Sequence, residues 1–163
     1  MTENIRRAIP DDIADIVAMI HDLAEFECAA DQCTVTEKQM FAALFGPCPT
    51  VRGHVVESDG HIAAMALWFL KFSTWDGVAG IYLEDLYVRP SFRRRGLARR
   101  LLATLAGECL DNGYTRLSWA VLNSNSDASD AVALYDGIGG QPQREWTTYR
   151  LSGPGLVALA GPR

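Results

Sequence analysis

Six of the chain's 15 basic residues fall within twelve positions, Arg89 to Arg100 (RPSFRRRGLARR), and no acid interrupts them. The other nine face all 20 acids, so a +6 segment sits on a body of −11. That distribution suits a small polyanionic ligand and argues against a long nucleic-acid track. The arginines lead into Gly96 and then into an apolar pattern of helical period. A helix N-terminus presents unsatisfied backbone N–H groups and the positive end of the helix dipole, a ready seat for a pyrophosphate. Gly96 permits close approach of a phosphate to the backbone, Ala98 is small enough to do the same, and the arginines supply charge-assisted hydrogen bonds. From charge alone, a solvated arginine-rich helix start is the competing reading.

Just upstream, Ile81 to Val88 (IYLEDLYV) sets Glu84 and Asp85 inside an apolar strand pattern. Neighbouring strand residues point to opposite faces, so the two acids cannot share one. Burying an acid unpaired is costly. Each therefore needs either a structural ion pair with an arginine or a substrate to act on. Metal chemistry has no comparable signal. Cys28, Cys33, Cys48 and Cys109 form no CxxC pair, and His21, His54 and His61 have no ligand spacing, which argues against a zinc site or a disulfide scaffold.

These residues need a core to position them. With 163 residues, 48% apolar and 21% charged, the chain reads as one globular domain, 1–163. The longest apolar run, Ile62 to Leu70, falls far short of the ~20 residues of a membrane helix. The N-terminus has no signal-peptide pattern, so the expectation is a cytoplasmic protein with neither membrane nor nucleic-acid partners. Asn4 to Ile9 reads as a strand. Pro10-Asp11-Asp12 opens a helix whose stripe is Ile13, Ile16, Val17, Ile20, Leu23 and Ala24. Thr36 with Gln39 forms a capping-box pattern for a second helix to about Phe45. Thr50 to Glu57 and Ile62 to Phe72 flank the hairpin signal Asp59-Gly60. Val78 to Val88 is a further strand. Leu97, Leu101, Leu102, Leu105 and Cys109 mark a third helix, stopped near Gly113. Thr115 to Leu122 (strand), Ala131 to Asp136 (helix) and Gln143 to Leu151 (strand) complete the order β-α-α-β-β-β-α-β-α-β, with one more helical turn in the tail. The fold class is α/β, a mixed and largely antiparallel central sheet flanked by helices.

Arg93-Arg94-Arg95-Gly96-Leu97-Ala98 resembles the Arg-x-x-Gly-x-Gly/Ala signature of the GNAT superfamily of acyl-CoA N-acyltransferases, with Ala98 at the second glycine. Tyr82 to Val88 (YLEDLYV), Leu117 to Leu122, Ala133-Leu134-Tyr135, Leu23 to Glu27 and Glu145-Trp146 are similar to its diamine (spermidine/spermine) acetyltransferase branch. The likeness runs from about residue 4 to 151 and leaves 152–163 as a tail.

The resemblance implies acetyl-CoA as co-substrate and a GNAT-like fold. Its pantetheine arm would pair with the strand backbone at Leu86, Tyr87 and Val88, and its pyrophosphate would rest on amides from Arg94 to Arg99, including Arg95, Gly96, Leu97 and Ala98, with Arg93 at the signature arginine. Asn125 falls at a cofactor-loop asparagine, although this chain reads Asn123-Ser124-Asn125 where the branch has Asp-Trp-Asn. Tyr135 falls beside the thioester sulfur as the group that protonates the leaving thiolate. Phe26, Glu27, Glu84, Asp85, Glu145 and Trp146 fall at positions of the amine site, with Glu84 as the base. No Ser-His-Asp or Cys-His nucleophile is evident, so direct attack in a ternary complex is expected. The expected activity is acetylation of a primary amine on a small cationic substrate: a diamine, a polyamine or a lysine-like molecule. The alternatives are a protein or peptide amine acceptor and a non-catalytic acyl-CoA-binding module. The likeness also implies a homodimer.

Overall fold

The computed structural model describes residues 3–122 and 128–162. It divides into two compact units, Met1–Ala128 and Ser129–Arg163.

In the first unit, β1 (Glu3–Arg7), β2 (Arg52–Ser58), β3 (His61–Ser73) and β4 (Val78–Val88) form an antiparallel meander, and β5 (Leu117–Trp119) joins β4 in parallel, in the order β1-β2-β3-β4-β5. A parallel neighbour needs a crossover, which α3 (Leu97–Asp111) provides. The β2–β3 hairpin turns at Asp59 (φ 50°) and Gly60 (φ 80°), two left-handed residues in a row. The Asp-Gly pair meets that requirement, and the primed turn matches the twist of the strands.

The period-2 alternation sorts side chains to two faces. On one, Val55, Met65, Leu67 and Tyr87 pack with α1 (Ile13–Phe26) and α2 (Glu37–Phe45) through Ile13, Ile16, Met19, Met40 and Leu44. The α2 start carries the expected capping box: the Thr36 hydroxyl accepts from the Gln39 amide (3.3 Å), and the Gln39 side chain accepts from the Thr36 amide (2.9 Å). On the opposite face, α3 buries Leu97, Leu101, Leu102, Leu105 and Cys109, each leucine contributing about 1.5–3 kcal/mol. This helix ends in a Schellman motif, with the Tyr114 amide donating to Cys109 O (2.8 Å) and the Gly113 amide to Leu110 O (3.3 Å).

Asp12, His54 and Ser58 are the buried polar residues among those described. Asp12, 4% exposed, accepts from both Arg6 terminal nitrogens (2.7 and 2.9 Å) and from the Ile9 amide (2.8 Å), which makes it a structural ion-pair partner. His54, also 4% exposed, accepts from Trp68 Nε1 at its Nδ1 (3.1 Å); burial, with Arg7 nearby, pushes it down to about 4.

In the second unit, α4 (Ala128–Gly137) and α5 (Gly153–Ala160) are the described elements. Three expectations change here and at β5. The strand expected over Thr115 to Leu122 contracts to Leu117–Trp119, and the single tail turn becomes an eight-residue helix. Gln143 to Leu151 forms no strand: the segment is exposed along its length and lies in no ladder among the described residues. Apolar spacing alone does not make a strand without a hydrogen-bonding partner. The fold class stands as read, a mixed α/β sheet flanked by helices. No helix among the described residues is long and apolar enough to cross a membrane.

Candidate active site

The site begins with a defect in β4. Asp85 pairs with Leu67 and Leu83 pairs with Trp68, so Glu84 is an extra residue with no opposite number on β3. A bulge of this kind shifts the alternation by one. Without it, Ile81, Leu83, Asp85 and Tyr87 would all point the same way. With it, Ile81 and Leu83 match Leu70 and Trp68 on the α3 face, while Asp85 and Tyr87 match Leu67 and Met65 on the α1 face. Glu84 is exposed and Asp85 is half-buried. Burial pushes the Asp85 carboxyl up to about 6, with Glu84 and then Glu27 adding like charge. Glu27 immediately follows α1, so this helix end and the bulge together form an acidic corner.

The same stretch of β4 has an open edge. β5 pairs with Ile81, Tyr82 and Leu83, whereas Asp85 to Val88 are matched on the β3 side. The Arg89 amide donates to Ala63 O (2.9 Å), which fixes the alternation: Tyr87 bonds toward β3, and the peptide groups of Leu86 and Val88 turn to the other edge. An extended acyl-carrier arm laid along that edge would meet backbone donors and acceptors in strand register.

Beyond Val88 the chain makes a short 3-10 turn at Pro90–Phe92, enters the left-handed region at Arg94 (φ 64°) and again at Gly96 (φ 78°), and begins α3. The first intrahelical bond runs from the Arg100 amide to Gly96 O (3.1 Å), which leaves the amides of Leu97, Ala98 and Arg99 at the helix mouth. A Cβ built on Gly96 would meet nothing within 4 Å. The space before these amides is therefore open, and the loop fits a pyrophosphate such as that of acetyl-CoA.

The arginines divide by role. Arg89 is bound to Asp15 (2.7 Å) and to Ile62 O (2.9 Å), and Arg100 to Glu3 (2.5 Å). Arg89 and Arg100 are thus paired within the fold, and the cradle is less positive than its arginine content suggests. Arg94, Arg95 and Arg99 are exposed around the helix mouth, with Arg95 Nη2 donating to Ser91 O (3.1 Å) and its guanidinium over Phe92, 5.1 Å from the ring centre. Arg93 is held at the α1 corner: Nε donates to Val88 O (3.1 Å), and the guanidinium lies 5.0 Å from the Phe26 ring centre and 5.7 Å from that of Tyr87.

The first unit therefore brings together Phe26, Glu27, Glu84, Asp85, Tyr87 and Arg93 beside the open edge and the cradle. Tyr135 is half-buried in α4, and Glu145 and Trp146 (67% exposed) belong to the second unit. Asn125 lies outside the described residues. Sequence reasoning missed the bulge, and with it the half-burial of Asp85 beside an exposed Glu84. A shallow groove of about 490 Å³ between α1 and α2, lined by Ile20, Gln32, Cys33, Thr34, Val35 and Gln39, includes none of these residues.

Known proteins resemble this chain along most of its length. The thialysine N-epsilon-acetyltransferase of Caenorhabditis elegans is 36% identical over 154 residues, covering 93% of this chain and 92% of its own. The L-ornithine N5-acetyltransferase of Arabidopsis thaliana is 26% identical over 204 residues, covering 98% and 88%. An integron cassette protein from the mobile metagenome of V. cholerae shares the fold with a TM-score of 0.80 at 24% identity over 99% of both chains. Residues 18–139 match the acetyltransferase (GNAT) family, which takes in the α1 end, the bulged β4 and the cradle. The chain belongs to the GNAT family of acetyltransferases.

Proposed function

We propose that this acetyltransferase moves the acetyl group of acetyl-CoA to a primary amine of a small cationic molecule, a diamine or a lysine-like amino acid, by direct attack within a ternary complex. The observation that carries the reading is the acidic corner of Glu27, Glu84 and Asp85 beside the open edge of β4. The names of the two relatives, which specify thialysine and ornithine, support the same class of acceptor.

Acetyl-CoA supplies an activated thioester. The amides of Leu97, Ala98 and Arg99 with the Arg94 to Arg99 loop would hold its pyrophosphate, and the Leu86 to Val88 edge its pantetheine arm. An alkyl ammonium of pKa ~10.4 is neutral in only about 1 part in 2,500 at pH 7, so the acceptor must lose a proton before it can attack. Asp85 takes that proton: a carboxylate near 6 is a better-matched base at neutral pH than an ordinary one. Glu84 and Glu27 attract the cation and keep Asp85 basic. The Val88 amide, turned to the open edge, hydrogen-bonds the carbonyl being attacked. The family resemblance gives Tyr135 the role of holding a proton at its phenol oxygen for the departing sulfur. It gives Glu145 and Trp146 roles toward the acceptor. A cytoplasmic homodimer goes with this reading through the family resemblance, and sedimentation velocity tests the dimer.

A thiol-release assay with acetyl-CoA and an amine panel tests the activity. Diamines and lysine-like acceptors should exceed neutral monoamines in kcat/KM, with an advantage that shrinks at high salt. Glu27→Gln should raise KM for the dications more than for a monoamine. Turnover confined to peptide amines, or thioester binding without turnover on any amine, would replace this reading with a peptide acetyltransferase or a binding module.

A further inference from the structure

We infer that Phe26 is a positioning residue for the acyl donor: the last residue of α1 holds Arg93 in place, and through it the left-handed turn of the cradle. This inference rests on the reading of the Arg94 to Arg99 loop as the seat of CoA.

The loop has a conformation that needs holding. Gly96 takes φ 78° without penalty, but Arg94, at φ 64°, puts a Cβ in the left-handed region. Such a conformation persists where the surroundings over-determine it. The residue before it supplies a constraint. Arg93 Nε donates to Val88 O (3.1 Å), which folds the side chain back onto the end of β4. Its guanidinium lies over two rings, 5.0 Å from the centre of Phe26 and 5.7 Å from that of Tyr87. A planar cation stacked in this way loses the rotations that would carry it off, and the backbone leading into Arg94 is fixed with it. The two walls differ. Tyr87 is 6% exposed and belongs to the core, whereas Phe26 is 38% exposed at a helix end. The Phe26 ring is therefore the wall that can be changed without opening the core.

The same helix grips the loop at a second point. Asp15 binds Arg89 (2.7 Å) where the chain leaves β4, and Arg89 also donates to Ile62 O (2.9 Å). Asp15 and Phe26 are eleven residues apart in α1, about three turns, which sets them on one face of the helix. Their partners Arg89 and Arg93 bracket the 3-10 turn at Pro90–Phe92. One face of α1 thus splints the loop on both sides of that turn, immediately ahead of the residue with the unfavourable φ. Without the Phe26 ring, Arg93 is freed and Arg94 can relax. The cradle is then no longer formed in advance, and CoA has to order it on binding, at a cost in affinity.

The test measures CoA binding by calorimetry and acetylation of 1,5-diaminopentane by thiol release. Phe26→Leu keeps an apolar side chain at a half-exposed position, and its melting curve without ligand reports the fold separately. It should weaken CoA binding about 3- to 30-fold, the range of a cation–π contact. Phe26→Tyr, which keeps the ring, should bind CoA as the unmodified protein does. In an Arg93→Gln background, Phe26→Leu should weaken CoA no further, because the group it holds is gone. In an Arg94→Gly background, where φ 64° carries no strain, the loss caused by Phe26→Leu should shrink. An undiminished loss in either background would overturn the inference. So would an unchanged CoA affinity in Phe26→Leu with a raised KM for the amine, the mark of a wall in the acceptor site alone. In those cases binding of CoA by the unmodified protein leaves the cradle reading standing. If the unmodified protein binds no CoA, the reading and the inference fall together.

Discussion

Replacing Asp85 with Asn separates what the residue does for chemistry from what it costs the fold. Its carboxyl stands at about 6 against an ordinary 3.8. At about 1.36 kcal/mol per pH unit, ionising it in place costs roughly 3 kcal/mol more than in the unfolded chain. The sign follows from proton counting. Between the two values the folded protein holds the proton and the unfolded chain does not, so stability falls as pH rises through that window. The penalty is absent below about pH 4 and complete above about pH 6. Asp85→Asn carries no such charge, and for a chain of this size roughly 3 kcal/mol corresponds to a Tm gain of about 6–12 °C at pH 7. Thermal melts of both proteins from pH 4 to pH 8 would measure this as a difference that opens with pH and then levels off. In parallel, the activity of the unmodified enzyme should rise through about pH 6, and the variant should lose turnover by about 10²–10⁴-fold. A stability difference that is flat across pH would show that Asp85 is not held against its charge. Full turnover by Asp85→Asn, with chemistry limiting, would remove it as the proton acceptor.

At the cradle, Gly96→Val forces a β-branched residue into φ 78°, so the fold should persist with a loss of about 1–3 kcal/mol. The variant should also lose the stabilisation that acetyl-CoA confers on the unmodified protein, about 2.7 kcal/mol at a hundred times Kd. An unchanged ligand-induced Tm shift would contradict the cradle. Tyr135→Phe should lower kcat toward the modest end of the ~10²–10⁴-fold range while acetyl-CoA affinity is retained, because a phenol gives its proton to a thiolate slightly uphill. Unchanged kcat with chemistry limiting would make Tyr135 a packing residue. Asp12→Ala leaves Arg6 with Glu57 as its acid and the Arg7 carbonyl at 3.2 Å, and should cost about 3–5 kcal/mol in chemical denaturation with kcat per folded molecule unaltered. Since Arg6 and the Ile9 amide hold the Asp12 carboxyl low, this contribution is present at neutral pH and lost as pH falls below the ordinary carboxylate range. A stability loss under 1 kcal/mol would refute it.

What the sequence disclosed was chemistry carried by neighbours along the chain. The Asp59-Gly60 turn, the Thr36–Gln39 box and the helix start behind Gly96 each depend on a few consecutive residues, and each forms as read. What it hid depends on partners far away. Arg89 and Arg100 are paired with acids 74 and 97 positions distant, which no local charge count could reveal. Gln143 to Leu151 has the composition of a strand without a ladder to join. The bulge is hidden for a sharper reason. In the string IYLEDLYV nothing marks the point where alternation breaks, because the extra residue is defined by pairing with Leu67 and Trp68 on another strand.

That one extra residue reconciles two demands that a regular β4 could not meet together. Before Glu84, the strand has to pair with β5 and send Ile81 and Leu83 into the core beneath α3. After it, the strand leaves an edge that β5 does not pair and presents an acid toward the α1 end. A bulge bends the strand and increases its twist, which suits the end of β5 pairing at Leu83. It also moves Asp85 and Tyr87 to the face where Glu27, Phe26 and Arg93 lie. The acidic corner and the open edge are therefore consequences of the same defect. Deleting the bulge residue would not merely remove a carboxylate. It would send Asp85 into the α3 core or force Leu83 out of it, and either result is incompatible with this fold.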